Sequence, residues 1–396
     1  MRSLLACSLV LLSSCNRSPT PDPAPPETLT PANTNEARIV EPSRSVFDLY
    51  RLLAHDPKNV ALSPLSLKMA FGILQPGASG SAKKSLEALF GLNANQTAIA
   101  PAEFELLDET RKNKKSFEFS ITNSIWLKDP KQIHADFKKS LSNLRTETNR
   151  LQLKELNSWV NQATGGKIPQ LLDRIQPSTQ ALALNTLYLK ALWTRPFSKD
   201  RTAPGRFQPS PHATKVVPLM QQSARFRFQE DPISRWVELP YQDTPLVMWI
   251  GLPKKRFDLK SIESRIGPDF VKTIGANWKD RQVDLVLPRF SVKLKQSLQP
   301  LMKAAGFGEL FIKGAFPKVL ASGELTATDV VQAISLDVRE EGTEAAAATA
   351  VMLERSSLFE GSAVPFYADE PFLFLLIHPK SGEIYFMGRV LDPTQG

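Results

Sequence analysis

A segment of small side chains between residues 340 and 357 is compatible with two very different conformations. Five of the six residues from 345 to 350 are alanine, which favours helices and is poorly suited to strands. A short exposed helix is therefore one interpretation. If the segment is extended instead, one face carries only small uncharged side chains, namely Thr343, Ala345, Ala347 and Thr349. The opposite face then carries Glu344, Ala346 and Ala348.

The extended alternative requires a fold whose sheet accepts an extra strand. Because the inward side chains are small, such a strand fits between two neighbours without overpacking the core beneath them. Gly342 precedes the small residues and permits the change of backbone direction at the point of entry.

Helical spacing dominates the first half of the chain and strand patterns dominate the second. Apolar residues at helical spacing occur in 45–53, 65–74 and 82–90, and we expect helical segments to continue to about residue 172. Apolar runs or alternations then predict strands at 179–192, 237–239, 246–252, 283–287, 290–294, 372–377 and 384–390. Helices first and strands later, without βαβ alternation, indicate an α+β fold.

The N-terminus resembles a bacterial lipoprotein signal. Arg2 is followed by an apolar run at 4–12, which is too short to span a bilayer permanently and suits a signal peptide of residues 1–14. Residues 12–15, Leu-Ser-Ser-Cys, resemble a lipobox, which implies lipidation of Cys15. An ordinary secretory signal is the alternative. Since Cys7 lies in the signal, the exported body has neither a free thiol nor a disulfide.

A proline-rich stretch separates Cys15 from the folded body. Alternating prolines make residues 15–42 an extended, unpacked tether, which leaves 43–396 as the folded body, where no second proline-rich linker occurs. We therefore expect an exported protein that is lipid-anchored to the bacterial cell envelope, at the outer membrane or cell surface, or secreted if the lipobox is not used.

The sequence contains no recognisable motif for enzyme chemistry. The four histidines, His55, His134, His212 and His378, belong to no metal-binding HExxH pattern. Residues 77–81 place Ser81 where a nucleophile elbow requires its second glycine. We expect no enzyme activity, no cofactor and no metal ion.

Composition excludes a wholly disordered chain and a polytopic membrane protein, because 42% of the residues are apolar and 22% are charged. The net charge of +9 hints at acidic partners. We expect a monomer that binds no nucleic acid.

Several further segments, together with 340–357, resemble the serpin family of serine protease inhibitors. They are 59–66 (Asn-Val-Ala-Leu-Ser-Pro-Leu-Ser), 156–160 with 166–169, 184–190 with 193 and 196–197, 237–241 (Val-Glu-Leu-Pro-Tyr), 369–374 and 386–390. Their order over about 350 residues is specific to that family. The resemblance implies helices packed around three β-sheets, with a large main sheet and an exposed reactive-centre loop.

The resemblance also implies a mechanism. A serine protease cleaves the loop and forms an acyl-enzyme, and the freed arm then inserts into the main sheet and traps the protease in a covalent complex. The implied hinge and inserting loop comprise Glu340, Glu341, Gly342, Thr343, Glu344, Ala345, Ala346, Ala347, Ala348 and Thr349. A noninhibitory serpin-fold binding protein is the alternative, although such proteins often carry bulky or charged residues in this hinge.

The scissile bond has two candidates. Arg355–Ser356 suits trypsin-like proteases, because an arginine pairs with a carboxylate in their specificity pocket. The usual serpin spacing counted from Glu340 places the bond one residue later, at Ser356–Ser357. Cleavage there, or at Leu353–Glu354, implies elastase-, subtilisin- or chymotrypsin-like targets.

The resemblance assigns three supporting groups. Glu340 is expected to form a salt bridge with Arg289 at the top of the sheet opening. The polar cluster below it is matched by Ser63, Ser66, Asn185 and Gln332, with Gln332 where serpins usually have histidine. The basic run of Arg111, Lys112, Lys114 and Lys115 lies where heparin-activated serpins bind polyanions, and a solvated helix end is its alternative interpretation.

Overall fold

The computed structural model describes residues 45–92, 116–177, 179–267, 269–321, 325, 331–343 and 362–395. All of these residues belong to one compact unit, Pro42–Gly396. The proposed signal peptide, Cys15 and the tether lie outside the described residues. The domain boundaries near residues 14 and 42 therefore stay predictions.

The described residues contain eight α-helices: α1 Val46–Leu53, α2 Pro64–Leu74, α3 Gly80–Phe90, α4 Ala135–Asn143, α5 Leu153–Ala163, α6 Leu259–Glu263, α7 Phe270–Gly275 and α8 Gln299–Ala304. In α1, a capping box fixes the first turn, since the Asp48 carboxylate accepts from the backbone N–H of Ser45 at 2.8 Å. In α2, Ser63 caps the helix and Pro64 supplies a preset φ at the first position. Within the described residues, no helix is both long and apolar enough to cross a membrane.

The described residues also form fifteen strands: β1 Val60–Leu62, β2 Phe117–Leu127, β3 Thr146–Arg150, β4 Ala181–Leu192, β5 Ala203–Ser210, β6 Ala213–Glu230, β7 Ser234–Pro240, β8 Val247–Pro253, β9 Lys279–Pro288, β10 Phe290–Ser297, β11 Val331–Val338, β12 Gly342–Thr343, β13 Val364–Tyr367, β14 Phe372–His378 and β15 Glu383–Val390.

The main sheet has six strands in the order β10-β11-β12-β4-β2-β3. The short β12 lies between β4 and β11 and is antiparallel to both. In the part of the chain that the structure describes, these two long strands are joined through β12 alone. Among the described residues, the start of the hinge is therefore the link between the two halves of the main sheet.

The remaining strands form the two smaller sheets. One contains β5, β6, β9 and β13, and the other contains β6, β7, β8, β14, β15 and β1. The long β6 belongs to both, because it pairs with β9 over 219–228 and with β7 over 227–230. It joins the two into one hydrogen-bonded sheet of nine strands, eight in a single path and β5 paired with β6 off that path. The expected architecture of a large main sheet with two smaller sheets and surrounding helices is confirmed.

Two hydrophobic clusters hold these layers together. The first combines side chains of the main sheet, such as Phe119 and Phe290, with side chains of the smaller sheets, such as Phe374. The second packs helices against the other face of the smaller sheets, around Trp236 and Trp249. With no disulfide available in the body, this packing supplies the stability of the fold.

The prediction of helices up to residue 172 was wrong in two places. Residues 117–127 and 146–150 are strands of the main sheet. The first of them carries a period-2 pattern, with Phe117 and Phe119 buried on one face and Glu118 exposed on the other. That alternation is the sequence signal for a half-buried strand, although the segments before it have helical spacing.

Candidate functional site

The hinge residues Gly342 and Thr343 are already paired within the main sheet. Gly342 lies opposite Leu192 of β4, and Thr343 lies between Ala191 of β4 and Val338 of β11. A Cβ at position 342 would collide with the carbonyl oxygen of Ala191 and lie 2.8 Å from the Cα of Leu192. Glycine is therefore required here by the close approach of two backbones.

Thr343 is fully buried and has a specific partner for its hydroxyl group. Its Oγ1 lies 2.5 Å from the phenolic oxygen of Tyr241. The Tyr241 ring stacks on Trp193 with centroids 4.3 Å apart and an interplanar angle of 17°. Burial raises the pKa of Tyr241 well above its usual value, so the phenol stays neutral and remains able to donate.

The backbone just before Gly342 is held at several points. The N–H of Trp193 donates to the carbonyl of Glu341, and the N–H of Phe197 donates to that of Glu340, both at 2.9 Å. The indole N–H of Trp193 donates to the carbonyl of Arg339 at 3.0 Å. The strand β4 and the residues after it thus fix where the loop leaves the sheet.

Glu340 and Arg289 are in contact, as the sequence suggested. The carboxylate of Glu340 is 2% exposed and lies 2.6 Å from the Nη2 of Arg289. The Nε of Arg289 donates to both carboxylate oxygens, and the hydroxyl of Thr202 donates to one of them at 2.6 Å. Burial alone raises the pKa of Glu340, but the hydrogen bonds from Arg289 and Thr202 outweigh it and hold that pKa below its usual value.

Glu341 extends the anchorage to the surface. Its carboxylate lies 2.5 Å from the Nζ of Lys199, which is on the turn that follows β4. Lys199 is 61% exposed, so this ion pair is screened by water and contributes little to stability. The Glu341–Lys199 ion pair therefore orients the segment before Gly342 and adds little to the stability of the fold.

Three members of the polar cluster come together beneath the sheet. The Gln332 amide exchanges two hydrogen bonds with the backbone of Ser63, both at 3.1 Å. The Ser63 hydroxyl donates to the carbonyl of Tyr385 at 2.6 Å and accepts from the N–H of Ser66 at 3.0 Å. All three cluster residues are buried. At this position the family resemblance leads one to expect a histidine. Gln332 stands there instead, and its amide acts both as a donor and as an acceptor.

Asn185 does not join the other three cluster residues. Its amide nitrogen donates to Oδ1 of Asn123 at 2.8 Å, and its buried carbonyl oxygen has no hydrogen-bond partner among the described residues. The reason is topological: Asn185 on β4 lies opposite Asn123 of β2, whereas Gln332 is on β11, on the opposite side of β4 in the strand order. The expected four-residue cluster is thus split into two parts.

Several predicted site residues lie outside the described residues. They are Glu344, Ala345, Ala346, Ala347, Ala348, Thr349, Arg355 and Ser356 of the loop, Cys15, and the basic residues Arg111, Lys112, Lys114 and Lys115. Their roles stay predictions. Conversely, the sequence interpretation gave no role to Tyr241, Trp193 or Thr202, although the first two lie in segments that carried the resemblance.

The family follows from these features and from comparison with known proteins. A family model described as Serpin (serine protease inhibitor) matches residues 42–393. The chain belongs to the serpin family. Members of this family generally inhibit serine proteases and form complexes with them, although noninhibitory members exist.

The relatives of this serpin are distant but cover most of its length. An uncharacterized serpin-like protein of Thermococcus kodakarensis is 27% identical over 361 residues, covering 88% of this chain and 84% of that protein. Serpin A3-1 of Bos taurus is 28% identical over 370 residues, covering 88% and 87%. A structure of thyroxine-binding globulin in complex with thyroxine matches with a TM-score of 0.76 at 24% identity, covering 89% of this chain and 98% of that chain. This structural likeness confirms the fold alone.

Proposed function

We propose that this serpin inhibits serine proteases by inserting its cleaved reactive loop into the main sheet. The observation that carries the proposal is the position of β12: Gly342 and Thr343 form a rung between β4 and β11. The residues that continue this strand are Glu344 and the small residues 345–350. Because one face of this stretch carries only small side chains, the stretch can continue the strand that β12 begins.

Strand addition provides the driving force for trapping the protease. Each new hydrogen bond of the sheet contributes a net of about 0.5–1.5 kcal/mol, so that about ten inserted residues, with the apolar surface they bury, contribute on the order of 10 kcal/mol. The uncleaved protein is then kinetically trapped, and its stability is set by a barrier. Cleavage removes that barrier because it frees one end of the loop.

We propose Arg355–Ser356 as the scissile bond and trypsin-like proteases as the targets. The basis is chemical, since an arginine side chain pairs with a carboxylate in such specificity pockets. Ser356–Ser357 fits the usual spacing from Glu340 better and is the competing assignment. Cleavage at Ser356–Ser357 implies that the target proteases are elastase-, subtilisin- or chymotrypsin-like enzymes.

A noninhibitory binding role is the second candidate, because thyroxine-binding globulin shares the fold. Incubation of the full chain with trypsin distinguishes an inhibitor from a noninhibitory binding protein. An inhibitor forms a covalent complex that survives SDS, whereas a binding protein is only clipped. Mass analysis of the fragment released from the complex identifies the bond, and Arg355→Gln abolishes the complex with trypsin only if Arg355–Ser356 is that bond. Absence of any covalent complex with trypsin, elastase and subtilisin would overturn the inhibitory role.

We further propose that Cys15 anchors the protein to the cell envelope and that the tether holds the inhibitor away from the membrane. Several acyl chains on one residue anchor stably where a single chain does not. Wild type is expected in the membrane fraction and Cys15→Ala in the soluble fraction. Recovery of both proteins in the same fraction would contradict the anchor.

The basic run at 111–115 is proposed as a polyanion site that modulates inhibition. Heparin binding by wild type should weaken as salt is raised, because it depends on the release of counterions. Charge reversal at Lys112, Lys114 and Lys115 should abolish that binding. If the charge-reversal variant binds heparin as strongly as wild type does, the basic run is only a solvated surface.

A further inference from the structure

The net positive charge of the chain is distributed unevenly. The segments 80–90, 128–143 and 299–321 together contain nine lysines and four acidic residues, which gives them a net charge of +5 out of the +9 of the whole chain. All nine lysines are exposed. Neither the family assignment nor the inhibitory mechanism gives this concentration of positive charge a role.

Two of the three segments begin at the end of the main sheet that lies opposite the hinge. The strand β2 starts beside the hinge, since Phe117 and Thr343 both pair with Ala191 of β4, and it runs away from the hinge. The segment 128–143 follows it directly. The strand β10 also starts at the level of the hinge and runs away from it, and the segment 299–321 follows β10.

Backbone hydrogen bonds join all three segments. The N–H of Ala321 donates to the carbonyl of Gln132 at 2.7 Å, which connects the second and third segments. The N–H of Lys318 donates to the carbonyl of Gly77 at 3.2 Å, just before α3 begins the first segment. The exposed side chains of 80–90, 128–143 and 299–321 therefore lie at one connected end of the body, which we call the far-end face.

The far-end face also exposes an apolar side chain. Ile312 is 51% exposed and lies between the buried Phe311 and the exposed Lys313. The Nζ of Lys303 lies 5.8 Å from the centroid of the Phe311 ring, so a second lysine is beside it. Lysines around an exposed apolar side chain suit the surface of an anionic membrane, where ammonium groups meet lipid phosphates and the apolar group enters the interface.

The way the body is attached favours a membrane over a soluble polyanion as the partner. About 30 residues separate the proposed anchor, Cys15, from Ser45, and an extended chain of that length reaches at most about 90 Å. Ser45 precedes α1, which packs against α8 of the far-end face. An anchored body is thus held at a high local concentration near the lipid headgroups, so that weak attraction by individual lysines is sufficient.

We propose that the far-end face is a docking surface for anionic lipid headgroups. A body docked in this way presents its reactive loop away from the membrane, because the ten residue steps of β4 from Ala181 to Ala191 separate the far end from the hinge by about 34 Å. The tether limits how far the body moves from the membrane, and the far-end face gives it a second, docked position. The inference rests on the proposed anchor for its setting and does not depend on the inhibitory role.

The first test measures binding of the full chain carrying Cys15→Ala to vesicles at low salt. Vesicles with equal parts of phosphatidylglycerol and phosphatidylcholine are compared with vesicles of phosphatidylcholine alone. The face variant replaces one exposed lysine of each segment: Lys84→Gln, Lys138→Gln and Lys318→Gln. Because a lysine near an anionic surface contributes about fivefold in affinity, we expect the face variant to bind the anionic vesicles about a hundredfold more weakly.

A matched control removes the same charge elsewhere. It replaces three exposed cations of β5 and β9 in the smaller sheets: Arg206→Gln, Lys279→Gln and Arg281→Gln. These residues lie outside the far-end face, so the control should weaken binding far less than the face variant does. Raising the salt concentration should weaken the binding of all three proteins, since it screens the lysines.

The second test asks whether Ile312 reaches the membrane. In a chain with Cys7→Ala and Cys15→Ala, Ile312→Cys introduces a unique thiol that can carry a polarity-sensitive fluorophore. We expect its emission to increase on the anionic vesicles. The control is Val216→Cys, which labels an apolar residue of β6 that is 69% exposed and lies in the smaller sheets. The fluorophore at position 216 should not respond.

The other outcomes decide against the proposal. Equal weakening by the face and control variants reduces the binding to a general attraction between charges. A fluorophore that responds no more at position 312 than at position 216 shows that the far-end face does not meet the membrane. Heparin binding that requires the same lysines, without binding to vesicles, assigns the face to a soluble polyanion. Every protein in these tests lacks Cys15, so an anchor that fails in the fractionation of wild type leaves their results unchanged.

Discussion

The hydroxyl groups of Thr343 and Tyr241 lie 2.5 Å apart in the buried junction where the reactive loop leaves the main sheet. Thr343 belongs to the hinge segment on β12 and Tyr241 follows β7, so this hydrogen bond connects the hinge segment to the smaller sheets. Trp193 stacks on the same tyrosine ring and also binds the hinge backbone at Arg339. The fluorescence of Trp193 should therefore report the state of the hinge.

Tyr241→Phe should loosen the hinge without perturbing the rest of the fold. It leaves the buried Thr343 hydroxyl unpaired at a cost of about 1–3 kcal/mol. We expect faster proteolysis of the loop near residue 343 and a shift in Trp193 emission. The matched control is Tyr50→Phe, which removes an equally buried hydroxyl that is bonded to Glu263 and lies in a different hydrophobic cluster from Tyr241. If both variants change Trp193 emission equally, the Tyr241 contact has no special role.

Thr343→Arg should convert the inhibitor into a substrate. Thr343 is fully buried in the rung that already joins β4 and β11, so an arginine there places a charge without a partner at the point from which insertion continues. Insertion would then be slower than hydrolysis of the acyl-enzyme. An SDS gel after reaction with trypsin should show clipped chain and little complex, while Thr343→Ser should behave like wild type. Full complex formation by Thr343→Arg would argue against insertion at this position.

The sequence predicted the hinge contacts better than it predicted the main sheet. The pairing of Glu340 with Arg289 was reached from position in a family pattern, and the structure places the two in contact. The alternation at the start of β2 does indicate a strand, whereas β3 has no apolar residue and no buried residue, so that only its pairing with β2 identifies it as a strand.

The partners of Asn185 were also beyond the reach of sequence. Its amide meets Asn123 because β4 pairs with β2 in a register that places these two residues opposite each other. That pairing joins residues 62 positions apart in the chain, so it is set by tertiary packing and leaves no local pattern.

The Glu340–Arg289 pair should make stability depend on acid pH. The folded-state pKa of Glu340 lies below its ordinary value of 4.5, so its contribution is fully present above that value and is lost as the pH falls through the folded pKa. Glu340→Gln should lower the thermal midpoint at pH 7, by the equivalent of about 1–2 kcal/mol because Arg289 is partly exposed. The difference from wild type should shrink as the pH is lowered below 4.5. A difference that stays constant from pH 7 to pH 3 would show that the charge of Glu340 is not what stabilises the hinge.

A second buried ion pair ties the two ends of the folded body together. Arg389 on β15 lies 3.1 Å from Glu263 on α6, and the side chains are 7% and 9% exposed. The phenol of Tyr50 on α1 donates to the same carboxylate at 3.0 Å, and Arg389 also donates to the carbonyls of Asp56 and Lys58. One charged cluster therefore holds α1, α6 and β15 together.

Breaking this cluster on one side should cost more than replacing both of its charges. Glu263→Ala leaves the buried guanidinium of Arg389 without its counter-ion, and removal of one partner of a buried pair costs about 3–5 kcal/mol. Glu263→Leu combined with Arg389→Met removes both charges and keeps the volume, so its thermal midpoint should lie above that of Glu263→Ala. Because the cluster is remote from the hinge, the double variant should still trap trypsin if the inhibitory role is correct. A double variant less stable than Glu263→Ala would mean that Arg389 acts mainly through the carbonyls of Asp56 and Lys58, which it holds without help from Glu263.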